Sequence, residues 1–378
     1  MNFLDWTWNY IIVFLIVLTV LIYVHEWGHY WVAKRNGVRV DVFSIGFGPE
    51  VFGWTNNVGT RWKIGLIPLG GYVKMFGEED GREDEDSEDG KPIELTEEEK
   101  AVSFHHKTLG QRAAIVAAGP IVNFLFAIAI FAGLAMFHGN PVPLAVIGEV
   151  VADSSAAKAG MKRGDKVLRI DGVEIKTFEE LRQIVIKSPG KPLVFQIDRD
   201  GHIQALSPKP KARTTADGQK MGQLGVRPHA DHIRFDRYDP FTAVWVGIER
   251  TAILTYRILD YIGDMFSGAR TTDDLGGPLR IAQISGEMAQ MGMTQVILLM
   301  AMLSVNLGLI NLFPIPMLDG GHLAFYAIEA LRGKPLGPTA QEYGFRFGLI
   351  LVLLLVVFVT WNDLVHLEVI KFIKEIFV

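Results

Sequence analysis

Long apolar runs alternate with polar segments along the chain, and four of these runs are long enough to cross a lipid bilayer. An α-helix of about 20 apolar residues spans the hydrocarbon core. The pattern therefore predicts a polytopic α-helical membrane protein with about four transmembrane helices. The runs cover Ile11 to Val24 with a continuation to Ala33, Ala113 to Phe137, roughly Val296 to Phe313, and Phe345 to Val359.

Basic residues beside the apolar runs predict how the helices are oriented. None precedes the first run, whereas Lys34 and Arg35 follow it directly. Lys107 and Arg112 come just before the second run. Because Lys and Arg concentrate on the cytoplasmic side of membrane helices, we expect the segment between the first two helices in the cytoplasm. Both chain ends and residues 138–294 are then expected outside it.

The segment between the first two apolar runs divides into a β-rich part and an acidic part. Residues 38–77 are rich in Gly and β-forming residues and predict short strands. Glu78 to Glu99 carries thirteen carboxylates against Arg82 and Lys91, a composition that cannot bury a core. We therefore expect residues 78–103 to form a disordered cytoplasmic loop, with a cation-binding or partner-binding role as the alternative.

Alternating strand and helix patterns, separated by Gly-containing turns, predict a small α/β domain over residues 139–213. The stretch Ala159-Gly160-Met161-Lys162-Arg163-Gly164-Asp165, followed by Arg169-Ile170-Asp171-Gly172, resembles a bacterial PDZ domain. Such domains bind a peptide by adding it as a strand to a sheet edge. The partner would be a peptide or a protein C-terminus. A small α/β domain without a ligand is the alternative.

Two further segments, Phe241 to Phe266 and Leu364 to Phe377, mix apolar and charged residues in a pattern typical of helices at a membrane interface. The predicted organisation is a first transmembrane helix (1–37), a β region (38–77), an acidic loop (78–103), a second transmembrane helix (104–138), the PDZ-like domain (139–213), a linker with amphipathic helices (214–294), a third transmembrane helix (295–333), a loop with the fourth (334–362) and a C-terminal amphipathic helix (363–378).

The composition narrows the chemistry that the protein can carry. It contains no cysteine, which excludes disulfides, thiol catalysis and cysteine-bound metal. Any metal site must therefore use His, Asp or Glu. A net charge of −5 gives no overall basic surface for nucleic acid, so we expect no nucleic-acid partner.

The first apolar run contains an HExxH pattern, His25-Glu26-Trp27-Gly28-His29. Residues four apart share one face of a helix, so both imidazoles can bind one zinc ion while Glu26 acts as general base. Ionisable side chains inside a transmembrane helix are costly and usually functional. The alternative is that the histidines form hydrogen bonds between helices and that Glu26 is neutral.

A third metal ligand is expected near the end of the third apolar run. A catalytic zinc site usually has three protein ligands and one open position. The run ends in Asn311-Leu312-Phe313-Pro314-Ile315-Pro316-Met317-Leu318-Asp319-Gly320-Gly321-His322. Irregular backbone at membrane depth is tolerated only beside protein or a wet cavity, so we expect Asp319 to face the same site. His322 is the competing ligand, or it orients the Asp319 carboxylate through a hydrogen bond. A Pro-Asp-Gly turn at the membrane surface is the alternative.

The two motifs and the PDZ-like insert between them resemble the site-2 protease family of intramembrane zinc metalloproteases, in particular its bacterial RseP-like branch. One departure is that a single PDZ-like unit is present where some members carry two in tandem. The resemblance covers nearly the whole chain and includes Gly46-Phe47-Gly48-Pro49, Pro68-Leu69-Gly70-Gly71-Tyr72-Val73, Phe104-His105-x-Lys107 and Ala118-Gly119-Pro120-x-x-Asn123.

The resemblance implies a zinc metalloendopeptidase of the bacterial inner membrane that cuts single-span membrane proteins within or beside their transmembrane helix. Family substrates include anti-sigma factors, in regulated intramembrane proteolysis, and remnant signal peptides. His25, His29 and Asp319 are expected to hold one Zn²⁺, which lowers the pKa of its water to about 7. Glu26 takes the proton as that water attacks the scissile carbonyl. The active site is expected towards the cytoplasm and the PDZ-like domain in the periplasm.

Residues that contact the substrate are also expected from the resemblance. The β region resembles the family's membrane-reentrant β-hairpin, in which Gly70 and Gly71 permit close backbone approach. Asn311 matches a substrate-contacting position of the family, and Asn306 and Asn123 are weaker candidates. Asn123 in particular could instead join two helices by a hydrogen bond. For the whole protein, a membrane-anchored PDZ adaptor with a non-catalytic metal site is the alternative function, and a zinc transporter is a more distant one.

Overall fold

The computed structural model describes residues 3–78, 95–214, 220–269 and 276–366. The chain forms two compact units, one made of Met1–Ala132 and Val244–Val378, the other of Gly133–Ala243. Among the described residues, the first unit contains α1 (Phe3–Arg35), β1 (Val40–Thr55), β2 (Arg61–Met75), α2 (Glu97–Val102), α3 (Leu109–Gly133), most of α6 (Pro240–Phe266), α7 (Pro278–Met291), α8 (Met293–Asn311), α9 (Asp319–Arg332) and α10 (Pro338–His366). The second contains α4 (Ser155–Lys158), α5 (Phe178–Ile186), and β3 (Asn140–Pro143), β4 (Ile147–Val150), β5 (Lys166–Ile170), β6 (Val173–Glu174), β7 (Phe195–Arg199), β8 (His202–Leu206), β9 (Lys211–Thr214), β10 (Lys220–Gln223), β11 (Val226–Pro228) and β12 (Ile233–Asp236).

Four helices in the described part of the chain are long and apolar enough to cross a membrane, as the apolar runs predicted. They lie in α1, α3 with the π turn that follows it, α8 and α10. Small residues let their backbones approach closely, which is typical of helix packing in membranes. A Cβ atom added to Gly28 of α1 would lie 2.6 Å from the carbonyl oxygen of Ala118 in α3. The protein is therefore a multi-pass membrane protein in which α1 and α3 pack backbone to backbone.

The β region between α1 and α3 is one antiparallel pair that folds back on itself. Positive φ angles at Gly46 (+87°) in β1 and Gly70 (+131°) in β2 bend both strands. As a result, residues 42–45 pair with residues 71–74 on one side and with 61–64 on the other. Residues 71–75 thus form one edge of this folded sheet.

Two amphipathic helices brace the transmembrane helices. Leu254 and Ile258 of α6 pack against a core of α3 and α8 that includes Phe131 and Val305. The helix predicted over residues 241–266 is therefore present, and it packs along two apolar helices. Gly286 of α7 fits against the ring of Tyr10 in α1.

The second unit is built around a four-stranded sheet in the order β6-β5-β7-β8. Thr177 caps α5 through a capping box. The buried Asp165 carboxylate pairs with the Arg199 guanidinium at 2.7 and 2.8 Å and raises the pKa of that guanidinium. This unit extends to Ala243, beyond the predicted end at residue 213, because β11 and β12 pair back with β4 and β3.

Two predicted segments are only partly covered by the described residues. In the acidic loop, residues 79–94 lie outside them, but residues 97–102 form the helix α2 with a capping box at Thr96. The prediction of disorder is therefore wrong for residues 97–102, where Thr96 satisfies the first backbone N–H groups of the helix. Most of the predicted C-terminal amphipathic helix, from residue 367 onwards, also lies outside the described residues.

The Asp363 carboxylate of α10 is buried against the N-terminus of α7. It accepts hydrogen bonds from the backbone N–H groups of Gly277 (2.7 Å), Leu279 (2.9 Å) and Arg280 (3.1 Å). The helix dipole adds to this attraction. One side chain thus joins the last transmembrane helix to α7.

Replacing Asp363 by Ala should destabilise the protein by about 1–2 kcal/mol, because three N–H groups at the start of α7 lose their acceptor. The measurement is thermal unfolding of the purified protein in detergent. Asp363→Asn keeps one oxygen acceptor and should lie between the two proteins. An unfolding temperature for Asp363→Ala equal to that of the wild type would show that this cap contributes nothing.

Candidate metal centre

The metal centre begins with two histidines on one face of α1. His25 and His29 are one helical turn apart, and their Nε2 atoms lie 3.3 Å from each other. Both side chains are nearly buried. The i, i+4 spacing therefore brings the two imidazoles together, as the HExxH pattern predicted.

Asp319 completes the group from the first residue of α9. Its Oδ2 atom lies 3.2 Å from His25 Nε2 and 3.5 Å from His29 Nε2. This oxygen is buried and makes no hydrogen bond to any described residue, although two imidazoles are so close. Among the described residues, His25, His29 and Asp319 form the one group of three side chains whose ligand atoms all lie close enough to hold a metal ion.

The spacing of these three donor atoms fits zinc. A tetrahedral zinc site with bonds of about 2.0–2.2 Å places its ligand atoms about 3.3–3.6 Å apart. The observed separations are 3.2, 3.3 and 3.5 Å. Two imidazoles and one carboxylate are also a donor set that catalytic zinc uses, with a fourth position open.

The backbone before Asp319 explains how the carboxylate reaches the histidines. The helix α8 ends at Asn311, and the chain turns through Pro314 and Pro316 before α9 starts. A Cβ atom at Gly320 would overlap the carbonyl oxygens of Leu312 and Phe313, and one at Gly321 would overlap that of Ile315. The two glycines therefore let the first turn of α9 fold back against this loop.

The helix α3 lies behind the two imidazoles. The carbonyl oxygen of Ile115 accepts a hydrogen bond from His29 Nδ1 at 2.9 Å. The Asn123 Nδ2 atom lies 3.1 Å from His25 Nδ1. Between them, a Cβ atom at Gly119 would overlap His29 Nε2 and lie 2.8 Å from His25 Cε1. Residues 115, 119 and 123 thus form a stripe that holds both rings.

Glu26 lies on α1 next to the edge of the folded β sheet. A Cβ atom at Gly71 would be 3.1 Å from Glu26 Cγ and 2.7 Å from Ile22 Cγ2. The absence of a side chain at Gly71 therefore allows the sheet edge to pack against α1 beside the predicted general base. Gly70, the other predicted hairpin glycine, packs against the ring of Phe47.

Three other predicted site residues, His322, Asn306 and Asn311, lie outside the group of three ligands. The His322 ring packs against Phe345, with 5.2 Å between ring centroids, and His322 is not part of the group of three. This geometry favours Asp319 over His322 as the third ligand. Asn311 and Asn306 are half-buried in α8, and their contact with substrate remains a prediction.

Asn123 is predicted to contact the substrate, with a hydrogen bond between two helices as the alternative. Its side chain is fully buried and lies against His25, so it is not exposed to an incoming chain. Its alternative role as a bond between helices fits better, but the partner is a histidine of the site. The contacts of Ile115 and Gly119 were missed, and their spacing of four residues with Asn123 on one helix is the signal that could have found them.

Several helices of this fold are long enough to cross a membrane, and two histidines, a carboxylate and an adjacent glutamate meet at one buried position between them. This combination defines a membrane-embedded zinc metalloprotease. The sequence profile of peptidase family M50 matches residues 13–355. The chain therefore belongs to peptidase family M50, which confirms the predicted family, the protease activity and zinc as its cofactor.

Relatives with similar sequences span nearly the whole chain. A protein of Rhizobium meliloti named "Putative zinc metalloprotease" is 46% identical over 93% of this chain and 95% of its own length. Metalloprotease MmpA of Caulobacter vibrioides is 37% identical, over 96% of this chain and 97% of its own. Regulator of sigma-E protease RseP of Salmonella typhimurium is 32% identical, over 94% of this chain and 98% of its own. That alignment runs over 456 positions, more than the 378 residues present here, so the Salmonella protein carries additional sequence.

A methyl group at position 119 should disturb both imidazoles. We expect Gly119→Ala to lose most of its bound zinc, because the added Cβ atom overlaps the His29 ring. The measurement is zinc per chain by elemental analysis of the purified protein. Gly110→Ala is the matched control in the same helix, since a Cβ atom there meets nothing within 4 Å. A folded Gly119→Ala protein with full zinc would contradict this account of the site.

Proposed function

We propose that this protein is an intramembrane endoprotease that hydrolyses peptide bonds within or next to the transmembrane helix of single-span membrane proteins. The observation that carries the proposal is the grouping of His25, His29 and Asp319 beside Glu26 on an apolar helix. A protease whose chemistry lies in such a helix is suited to substrates that are themselves in the membrane. Anti-sigma factors and remnant signal peptides belong to this substrate class.

The proposed reaction divides the work between the ligands and Glu26. His25, His29 and Asp319 would hold Zn²⁺, which supplies a Lewis acid that polarises the scissile carbonyl and activates water. Glu26 would act as general base, taking a proton from the attacking water. The same carboxylic acid then returns the proton to the amine nitrogen as the peptide bond breaks. Nearly complete burial of the imidazoles limits competition by bulk water.

A substrate helix must unwind before its carbonyl groups can be attacked, because they are bonded within the helix. We propose that residues 71–74 capture the unwound segment by edge pairing. These residues form an edge of the folded sheet, and Gly71 lies beside Glu26. Asn311, at the end of α8, would add a hydrogen bond from its amide.

The folded sheet would itself be associated with the membrane. Much of its surface is apolar and exposed, which is unfavourable in water and favourable against lipid. The exposed apolar side chains include Phe47, Val51, Phe52, Trp54, Leu66, Ile67 and Leu69.

The proposed location is the bacterial inner membrane, with the metal centre towards the cytoplasm. Lys34 and Arg35 end α1, and the positive-inside tendency supports this orientation. The second unit would then lie in the periplasm as the PDZ-like domain. It contains a cavity of about 400 Å³ between α5 and the strands β10 and β11. Apolar Leu181, Val185 and Leu224 line that cavity, which suits a bound peptide or C-terminus.

Removing the general base should separate metal binding from catalysis. Glu26→Gln should retain zinc and lose cleavage by a factor of about 100 or more, because the amide cannot accept the proton. Asp319→Ala should lose zinc affinity as well as cleavage. The measurements are zinc per chain and cleavage of a model single-span substrate whose helix contains a Gly-containing stretch. Wild-type cleavage rates in Glu26→Gln would rule out the assigned base, and a folded wild type without zinc would overturn the proposed function.

A further inference from the structure

Asn123 is a polar side chain beside the metal centre whose environment the reaction leaves unexplained. It is fully buried in α3, and its Nδ2 atom lies 3.1 Å from His25 Nδ1. Its Oδ1 atom is also buried and has no hydrogen-bond partner among the described residues. A buried amide oxygen without a partner costs free energy, so this atom calls for a physical explanation.

The position of the proton on the His25 ring explains why a side-chain amide lies beside it. A neutral imidazole carries one proton, and a ring that binds zinc through Nε2 must carry it on Nδ1. The Nδ1–H group is then a donor and needs an acceptor. His25 Nε2 faces Asp319 at 3.2 Å, so its Nδ1 atom is the one that faces Asn123.

His29, the neighbouring ligand, shows how an Nδ1–H group is paired with an acceptor. His29 Nδ1 lies 2.9 Å from the Ile115 carbonyl oxygen, which can only accept a hydrogen bond. That contact fixes the His29 proton on Nδ1 and leaves Nε2 free. Asn123, unlike a carbonyl, offers either a donor or an acceptor, because rotating the amide by 180° exchanges Nδ2 and Oδ1.

We propose that Asn123 is a positioning residue for His25: with metal bound, its Oδ1 atom accepts the hydrogen bond from His25 Nδ1–H. This orientation fixes the tautomer that exposes Nε2 and gives Oδ1 a hydrogen-bond donor, while Nδ2 takes the former place of Oδ1. The inference rests on the proposed function, since it needs zinc at His25. It extends that function by assigning a ligand-orienting role to α3.

The backbone of Asn123 contacts α8. The hydroxyl of Ser304 donates a hydrogen bond of 2.8 Å to the Asn123 carbonyl oxygen. A Cβ atom at Gly308 would lie 3.2 Å from Asn123 Cβ, so the two helices are in close contact there. Here the backbone meets α8, and the side chain is directed to α1.

Two substitutions of similar size distinguish the proposed role. Asn123→Leu removes the acceptor, and Asn123→Asp keeps two acceptor oxygens. We expect Asn123→Leu to bind zinc about 10-fold to 100-fold more weakly than the wild type. Asn123→Asp should keep an affinity within a few-fold of the wild type. The measurement is competition with a chelator for zinc, using the full-length protein in detergent.

Ser304→Ala is the matched control, because it removes the bond to the Asn123 backbone and leaves the amide unchanged. Its zinc affinity should equal that of the wild type. The visible absorption of the Co²⁺-substituted proteins gives a readout that a merely structural defect would not move. The spectrum should change in Asn123→Leu and stay similar in Asn123→Asp and Ser304→Ala.

The tautomer can also be measured without any variant at position 123. Nitrogen-15 NMR of the zinc-loaded wild type with labelled histidine should show protonated Nδ1 atoms in both His25 and His29. An unprotonated His25 Nδ1, or wild-type zinc affinity in a folded Asn123→Leu protein, would overturn the inference alone. Equal losses in folded Asn123→Asp and Asn123→Leu would do the same. A folded wild type that binds no zinc would overturn the proposed function as well.

Discussion

Burying ionisable groups among apolar helices is the constraint on which the rest of this structure depends. His25, Glu26 and His29 lie on a helix that is otherwise almost entirely apolar. Such groups are stable at that depth only if partners meet them there, because lipid supplies none. The carboxylate of Asp319 and the polar groups of α3 provide these partners for the two histidines. Each partner must come within hydrogen-bond distance of the imidazoles. Larger side chains at the contacts between the helices would prevent this.

Glycine residues at the helix contacts allow this close approach. Gly28 and Gly119 bring α1 and α3 together around the imidazoles, and Gly71 brings the sheet edge to the same helix. Gly320 and Gly321 fold the start of α9 against the preceding loop. At these contacts a single methyl group would meet backbone or ring atoms. The site therefore depends on the space that these glycines leave, with the polar groups placed around it.

Local patterns in the sequence predicted much of the fold and the centre of the site. The apolar runs, the HExxH spacing and the Thr177 capping box depend on residues a few positions apart, so they can be found without a structure. Contacts between distant segments could not be found in this way. The return of β11 and β12 to earlier strands, and the side-chain direction of Asn123, depend on how segments pack in space. The residues of the predicted ligand group came together, whereas their supports became visible only in three dimensions.

The proposed ligands come from opposite ends of a chain of 378 residues. During synthesis the helix with His25 and His29 is made early, whereas Asp319 is added late. The three donor atoms can therefore meet only when nearly the whole protein exists and α9 has packed. Until then, a growing chain has no complete set of ligands. The order of biosynthesis would thus delay the proposed zinc site until the segment that carries Asp319 has been made.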